Sequence, residues 1–252
     1  VTSRPLEAIA IAHKEAANYP YIVAAGGDGT VHEVVNGLLR AGTRSSLGVI
    51  PLGSGDDFAK LLSHDFIFTF LNRKTKAFDV GRIVSGSDVR YFANTVDTGF
   101  GAQVSKHSHI PILTGTAMYL VAIFKTLADY SVPYLKVKFP DQVVEQKSTM
   151  TVATIGRCFG GGFWIAPQAE VDDGLLDVMI ADGLGRIGIL SLLPKVMKGT
   201  HVGDPRVKFF RAPRIVIESP DPLAVECDGE VPWTAAHRLE IEALPKRMRV
   251  IA

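Results

Sequence analysis

Residues 21–40 read YIVAAGGDGTVHEVVNGLLR. The apolar run from Tyr21 to Ala25 stops at Gly26-Gly27 and reads as a short buried strand. Past the glycines, Val31, Val34, Val35, Leu38 and Leu39 fall at the spacing of one helix face, which predicts an amphipathic helix from Thr30 to Arg40. Thr30 and Glu33 have capping-box spacing at its start, and Gly42 stands just past its end. One unit later the pattern recurs. Leu47 to Leu52 reads as a strand and Gly53-Ser54-Gly55 as a turn, and Asp56 and Asp57 open a second helix running to Leu62. Ahead of both units, residues 6–18 predict a further helix, rich in Ala and Glu. Strand, helix, strand, helix specifies a parallel sheet with right-handed crossovers.

From about Phe78 the texture changes. FDVGRIV, VRYFANTV, YLKVKF, QKSTMTVATIG, GLLDVMIA, VKFFRA, PRIVIES, LAVECDGE and HRLEIEAL are short, often alternating runs parted by Gly, Pro, Asp and Ser. That pattern predicts an antiparallel sandwich or barrel, interrupted by helices around 115–130 and 188–199. The expected fold class is α/β plus β. An α/β domain covers 1–80, a β-sandwich domain covers 81–243, and 244–252 returns to the first domain.

Apolar residues make up 47% of the 252 and charged residues 21%, a globular balance that excludes disordered and fibrous classes. Lys+Arg 27 against Asp+Glu 26 leaves +1, without the basic excess a nucleic-acid binder needs. Cys158 and Cys227 lie far apart with no metal-finger spacing, which fits a reducing cytosol. No stretch reaches the roughly 20 apolar residues of a membrane span; Met118 to Phe124 is cut short by Lys125. Val1 to Pro5 carries no signal-peptide pattern, and a strand is expected upstream of this numbering. Trp164, Trp233, Phe66, Phe68 and Phe70 read as core. Arg73, Lys74 and Lys76 read as a solvated basic turn or a weak contact with anionic lipid.

Three acidic turns carry chemistry. Gly26-Gly27-Asp28-Gly29-Thr30 sits between a strand and a helix start, where glycines admit a phosphate and free N–H groups attract it. Asp28 would repel that phosphate unless a Mg²⁺ lay between them; a tight turn with a solvated Asp is the plainer alternative. Gly53-Ser54-Gly55-Asp56-Asp57 repeats the device, and a helix N-cap accounts for only one of its two carboxylates. Cys227-Asp228-Gly229-Glu230 reads as a hairpin turn by default, or as the source of a carboxylate that takes a proton from a hydroxyl.

In this order, with YFANTVDTGFGAQV around Asn94 and VDDGLLDV between them, these motifs resemble the diacylglycerol kinase catalytic family, which includes bacterial soluble lipid kinases and sphingosine kinases. The resemblance covers nearly the whole chain. It implies an ATP-binding α/β domain, a lipid-substrate β-sandwich domain, and an active site between them. It further implies that Gly26, Gly27, Asp28, Gly29, Thr30, Val31, His32, Glu33, Gly53 and Ser54 bind ATP, with Thr2 a further contact. Asp28 would reach Mg²⁺, Asp57 would join that acidic network, and Glu230 would accept the proton with Asp228 as support or rival. Asp173 would hold a structural Mg²⁺ with carbonyls of Glu170 and Leu175. A cytoplasmic enzyme is implied, meeting its lipid peripherally at a membrane surface and able to pair as a homodimer through exposed strands. The family's first strand is absent, and Ser54 and Asp56 stand where Thr and Asn are usual. Asp56 therefore adds a charge beside the ATP.

Two alternatives share some of these motifs: an NAD kinase-like phosphotransferase, which has GGDGT, and a nucleotide-binding regulatory protein whose catalysis Asp56 has impaired. Gly183-Leu184-Gly185-Arg186-Ile187-Gly188 spells a dinucleotide fingerprint, but no βαβ unit is expected around it. There is no phosphate-binding P-loop signature, and the seven His residues show no zinc spacing.

Overall fold

The computed structural model describes residues 2–42, 45–62, 70–108 and 115–252; Phe66 and Phe68 lie outside them. The chain opens with α1 (Glu7–Glu15), β1 (Tyr21–Gly26), α2 (Asp28–Ala41) and β2 (Ser46–Pro51). The two strands pair in parallel, Tyr21 opposite Ser46 through Gly26 opposite Pro51. Helix α2 starts two residues before Thr30, so Gly27, not Thr30, precedes its first turn. Its apolar stripe is buried as the spacing requires: Val31, Val34, Val35 and Leu38 are each 5% exposed or less. Burial of each such side chain is worth about 1.5–3 kcal/mol.

The helix expected after the second glycine turn is only a 3-10 turn, Ala59–Leu61. Asp56 adopts the left-handed conformation, φ 50°, and cannot begin an α-helix there. Its Oδ1 turns back to accept the Gly53 N–H at 2.9 Å.

The remaining strands are β3 (Thr75–Ser85), β4 (Asp88–Phe92), β5 (Thr95–Gly99), β6 (Tyr134–Lys138), β7 (Val143–Thr154), β8 (Leu176–Asp182), β9 (Val207–Ala212), β10 (Arg214–Cys227) and β11 (Glu230–Ile251). Helices α3 (Phe100–His107), α4 (Gly115–Asp129) and α5 (Arg186–Met197) lie among them. The pairings joining β3 to β11 with one another are antiparallel. Two runs that look separate in sequence, PRIVIES and LAVECDGE, are one strand, β10, whose register with β11 shifts after Glu218.

The parallel and antiparallel parts form one hydrogen-bonded sheet in the order β1-β2-β11-β10-β5-β7-β8-β9. Strand β11 joins them, because its end pairs in parallel with β2 at Val250–Leu47 while its length pairs with β3 and β10. After the GLGRIG stretch, α5 leads into β9, which runs antiparallel to β8, so no βαβ unit exists there. Among the described residues, no helix is long and apolar enough to cross a membrane.

Candidate active site

The Cys227-Asp228-Gly229-Glu230 stretch folds as a two-residue hairpin turn, with Cys227 opposite Glu230. Asp228 (φ 48°) and Gly229 (φ 92°) are both left-handed, as the tight turn matching strand twist demands. The Asp228 carboxylate points inward and is saturated. Its Oδ1 accepts the N–H groups of Asn94 and Thr95 at 3.0 and 2.9 Å. Its Oδ2 accepts Ala93 N–H at 2.8 Å and His32 Nδ1–H at 3.1 Å. The Asp228 carboxylate accepts from His32 Nδ1, while the Asn36 amide, 3.3 Å from Nε2, donates to the His32 carbonyl at 3.0 Å. Asn36 in turn exchanges hydrogen bonds with the Tyr91 backbone. Asp228 thus ties α2 to the bend between β4 and β5, and it is not free to take a substrate proton. Glu230 is exposed beside it, at the cleft.

The two glycine turns touch. A Cβ on Gly53 would stand 2.5 Å from Gly27 Cα, so neither loop can carry a side chain at the crossing. Asp28 opens α2 and sends Oδ1 to the Phe58 N–H at 3.0 Å, while Oδ2 faces Gly55. Burial raises its pKa above the usual carboxylate value, the Phe58 N–H opposes this, and the nearby Asp57 charge adds to it. Asp57 is buried and doubly engaged: Oδ1 takes Lys60 Nζ at 2.6 Å, and Oδ2 takes Gly161 N–H at 2.7 Å.

That last bond reveals a third glycine turn that sequence reasoning missed. Gly160, Gly161 and Gly162 have φ of 63°, 79° and 131°, a path open essentially only to glycine. The run CFGGGF at 158–163 was the available signal. Burial pushes the neighbouring Cys158 thiol up to about 12, with Asp57 adding to the effect, so it is no nucleophile.

All three glycine turns and the hairpin border one cleft of about 590 Å³. Gly27, Asp28, Gly29, Val31 and His32 line one wall, and Gly53, Ser54, Gly55 and Asp57 another. Asp228, Gly229 and Glu230 approach from β10 and β11, with Asn94 and Glu226, neither assigned a role from sequence, beside them. Gly26, Thr30 and Glu33 do not line it. Gly26 accommodates the Thr30 side chain, which a Cβ would meet at 2.4 Å. Glu33 accepts the N–H groups of Leu6 and Ala8, both at 3.0 Å, and so caps α1 rather than holding nucleotide. Thr2 is exposed and outside the lining.

At the expected structural metal site, Asp173 with the carbonyls of Glu170 and Leu175, both carboxylate oxygens of Asp173 have partners within the chain. Asp173 Oδ1 accepts the N–H of Leu175 at 2.9 Å, and Oδ2 meets the guanidinium of Arg211. Arg211, whose side chain is half-exposed, also lies 3.4 Å from Asp177. No metal-holding cluster of three or more such side chains occurs among the described residues. In the cleft the donor set does suit a hard cation shared with a phosphate, because half-buried Asp28 turns Oδ2 toward Gly55 with the Asp57 carboxylate nearby.

Residues 1–83 match the family model for the diacylglycerol kinase catalytic domain. Residues 94–252 match that for the YegS C-terminal NAD kinase beta sandwich-like domain. A probable YegS-like lipid kinase of Chromohalobacter salexigens is 32% identical over 83% of this chain and 69% of its own. A diacylglycerol kinase of Bacillus subtilis is 27% identical over 87% and 74%. A crystal structure of a putative diacylglycerol kinase from Bacillus anthracis superposes with a TM-score of 0.78 at 22% identity, covering 99% of this chain and 84% of that one. With two family models spanning both ends of the sheet and a cleft between them, the chain belongs to the diacylglycerol kinase and YegS-like family of lipid kinases.

Proposed function

We propose that this protein transfers the γ-phosphoryl group of ATP to the hydroxyl of diacylglycerol or a similar lipid. The observation that carries the reading is the convergence of Asp28, Asp57 and Glu230, from distant parts of the sequence, on one cleft bounded by glycine turns. The α/β part, residues 1–80, would hold ATP, and residues 81–243 would receive the lipid, with 244–252 returning as the last part of β11. The first turn of α2 offers free N–H groups and a partial positive charge to the phosphates. Gly27, Gly29, Gly53 and Ser54 let them approach. Mg²⁺, when bound through Asp28, offsets charge on the transferring group.

Asp57 acts as a clamp. Through Lys60 and Gly161 it fixes the second and third glycine turns against each other. The lipid oxygen forms a bond to the γ-phosphorus as the bond to the β-phosphate oxygen breaks, ADP leaves, and the hydroxyl proton passes to Glu230. The chain would meet its lipid at a membrane surface from the cytoplasm. Asp56, which looked from sequence like a charge added to the nucleotide site, is engaged by Gly53 and lies outside the cleft lining, which disfavours the catalytically impaired reading.

Glu230→Gln tests the assignment. Turnover should fall by roughly 10²–10⁴-fold, with the dissociation constant for Mg·ATP unchanged within twofold. A variant that turns over at the parent rate rules Glu230 out as the base.

A further inference from the structure

Behind the hairpin lies a pair of acids that the transfer chemistry does not use. Glu226 on β10 and Asp97 on β5 are direct cross-strand partners, each only 2% exposed. Glu226 Oε1 accepts the Gly229 N–H. Its Oε2, and both oxygens of Asp97, meet no donor at hydrogen-bond geometry. Buried carboxyl groups are normally satisfied, because an unpaired one costs a large part of its hydration energy. Burial raises both well above the usual range, Asp97 to about 8, with the Ala102 N–H a weak opposing influence. The Tyr130 hydroxyl, near Asp97, is committed to the Thr149 carbonyl at 2.6 Å.

The pair stands where two cavities meet. Glu226 lines the cleft. Asp97 backs onto Gly101, where a Cβ would stand 2.4 Å from its Oδ2, and Gly101 lines a second cavity. This second cavity, about 100 Å³, runs between α3, α4 and α5 and is almost wholly apolar, walled by Phe100, Val104, Ile123, Phe163 and Ile189 among others. Ser105, Phe159 and Gly160 border both spaces. A dry apolar cavity of about 150 Å³ takes one benzene ring, so this one has the girth for a segment of one alkyl chain and not for two side by side.

Resting on the lipid-kinase reading above, we infer that the preferred acceptor is a single-chain lipid whose head carries a second O–H or N–H donor next to the reacting hydroxyl. The chain enters the apolar cavity, the reacting hydroxyl faces Glu230, and the second polar group hydrogen-bonds Glu226 Oε2, which as the hydroxyl of a neutral acid can both donate and accept. A diacylglycerol head has only one hydroxyl and brings two chains. A long-chain monoacylglycerol or amino alcohol supplies both features.

The test compares four acceptors of equal chain length with Mg·ATP in mixed micelles: a monoacylglycerol, a long-chain amino alcohol, a diacylglycerol and a primary alkanol. The first two should exceed the last two in kcat/KM by at least about tenfold, the discrimination expected when a buried polar group is left unpaired. Glu226→Met removes the polar group facing the cleft while keeping an unbranched side chain of similar length, so the ratio of monoacylglycerol to alkanol rates should collapse toward one. Faster phosphorylation of diacylglycerol, or an unchanged ratio in Glu226→Met, overturns the inference. Equilibrium dialysis of labelled monoacylglycerol against labelled diacylglycerol gives a reading without turnover. If no lipid is phosphorylated, the kinase reading fails, while selective binding of the monoacylglycerol would still uphold the acceptor pocket.

Discussion

Glu230 and Asp228 are two residues apart and have opposite fates. The turn at Asp228-Gly229 sends Asp228 into the protein, where four donors hold it, and leaves Glu230 exposed at the cleft. Their substitutions should therefore separate cleanly. Asp228→Asn puts an amide NH₂ where at least two N–H donors converge. Two or more buried donors then lose their acceptor, at a cost of about 3 kcal/mol. Tm should fall by about 6–12 °C, measured by thermal unfolding. Glu230→Gln should leave Tm unmoved and act on kcat alone. The CDGE motif made both carboxylates legible as candidates. It could not rank them, because the donors to Asp228 come from positions 32 and 93–95 and meet it only in the folded chain. Glu33 shows the reverse. Its place in GGDGTVHE suggests nucleotide, but α1 packs onto α2 and takes both its oxygens.

At the scale of elements, the crossing of the first two glycine turns fixes the cleft's width. Gly53→Ala would drive a methyl group into the Gly27 backbone, at 2.5 Å from its Cα. Backbone cannot rotate away as a side chain would, so the phosphate-facing loops must part. The dissociation constant for Mg·ATP should rise about tenfold or more, equivalent to about 1.4 kcal/mol, by isothermal titration, with the circular dichroism spectrum preserved. The helical period of α2 and the apolar runs of β1 and β2 were plain in the sequence, because local spacing dictates them. The helix after β2 was misread, since Asp56 favours a left-handed turn closed on Gly53, and an Asp-Asp pair after glycine looks the same as an N-cap.

For the whole molecule, β11 is the member that makes one sheet from two textures, and the strands beyond it carry the buried acids that load the interior: Glu226 on β10, Asp97 on β5 and Asp177 on β8. Asp97 and Asp177 both have raised pKa values, to about 8 and about 6, chiefly through burial, with Glu170 adding to the effect at Asp177. An acid that binds its proton more tightly folded than unfolded stabilises the fold below its unfolded value. That contribution is lost as pH rises through the folded value. Unfolding free energy from urea titrations should therefore decline between about pH 4 and pH 8, and Asp97→Asn should flatten the upper part of that slope. A variant with the parent's full slope would remove Asp97 as its source. The cross-strand meeting of Asp97 and Glu226 was invisible in the sequence. Nothing in residues 94–100 or 223–230 states that β5 and β10 are neighbours.

The central claim is that the turns around Asp28, Asp57 and Glu230 build one site that moves phosphate from ATP to a lipid hydroxyl. Its most direct test supplies γ-labelled ATP and Mg²⁺ to the protein with a lipid panel and, separately, with NAD, and follows the label. The account predicts label in the lipid fraction, dependent on Glu230, and none in NADP. Label appearing in NADP, or in neither acceptor while ATP still binds, would contradict it.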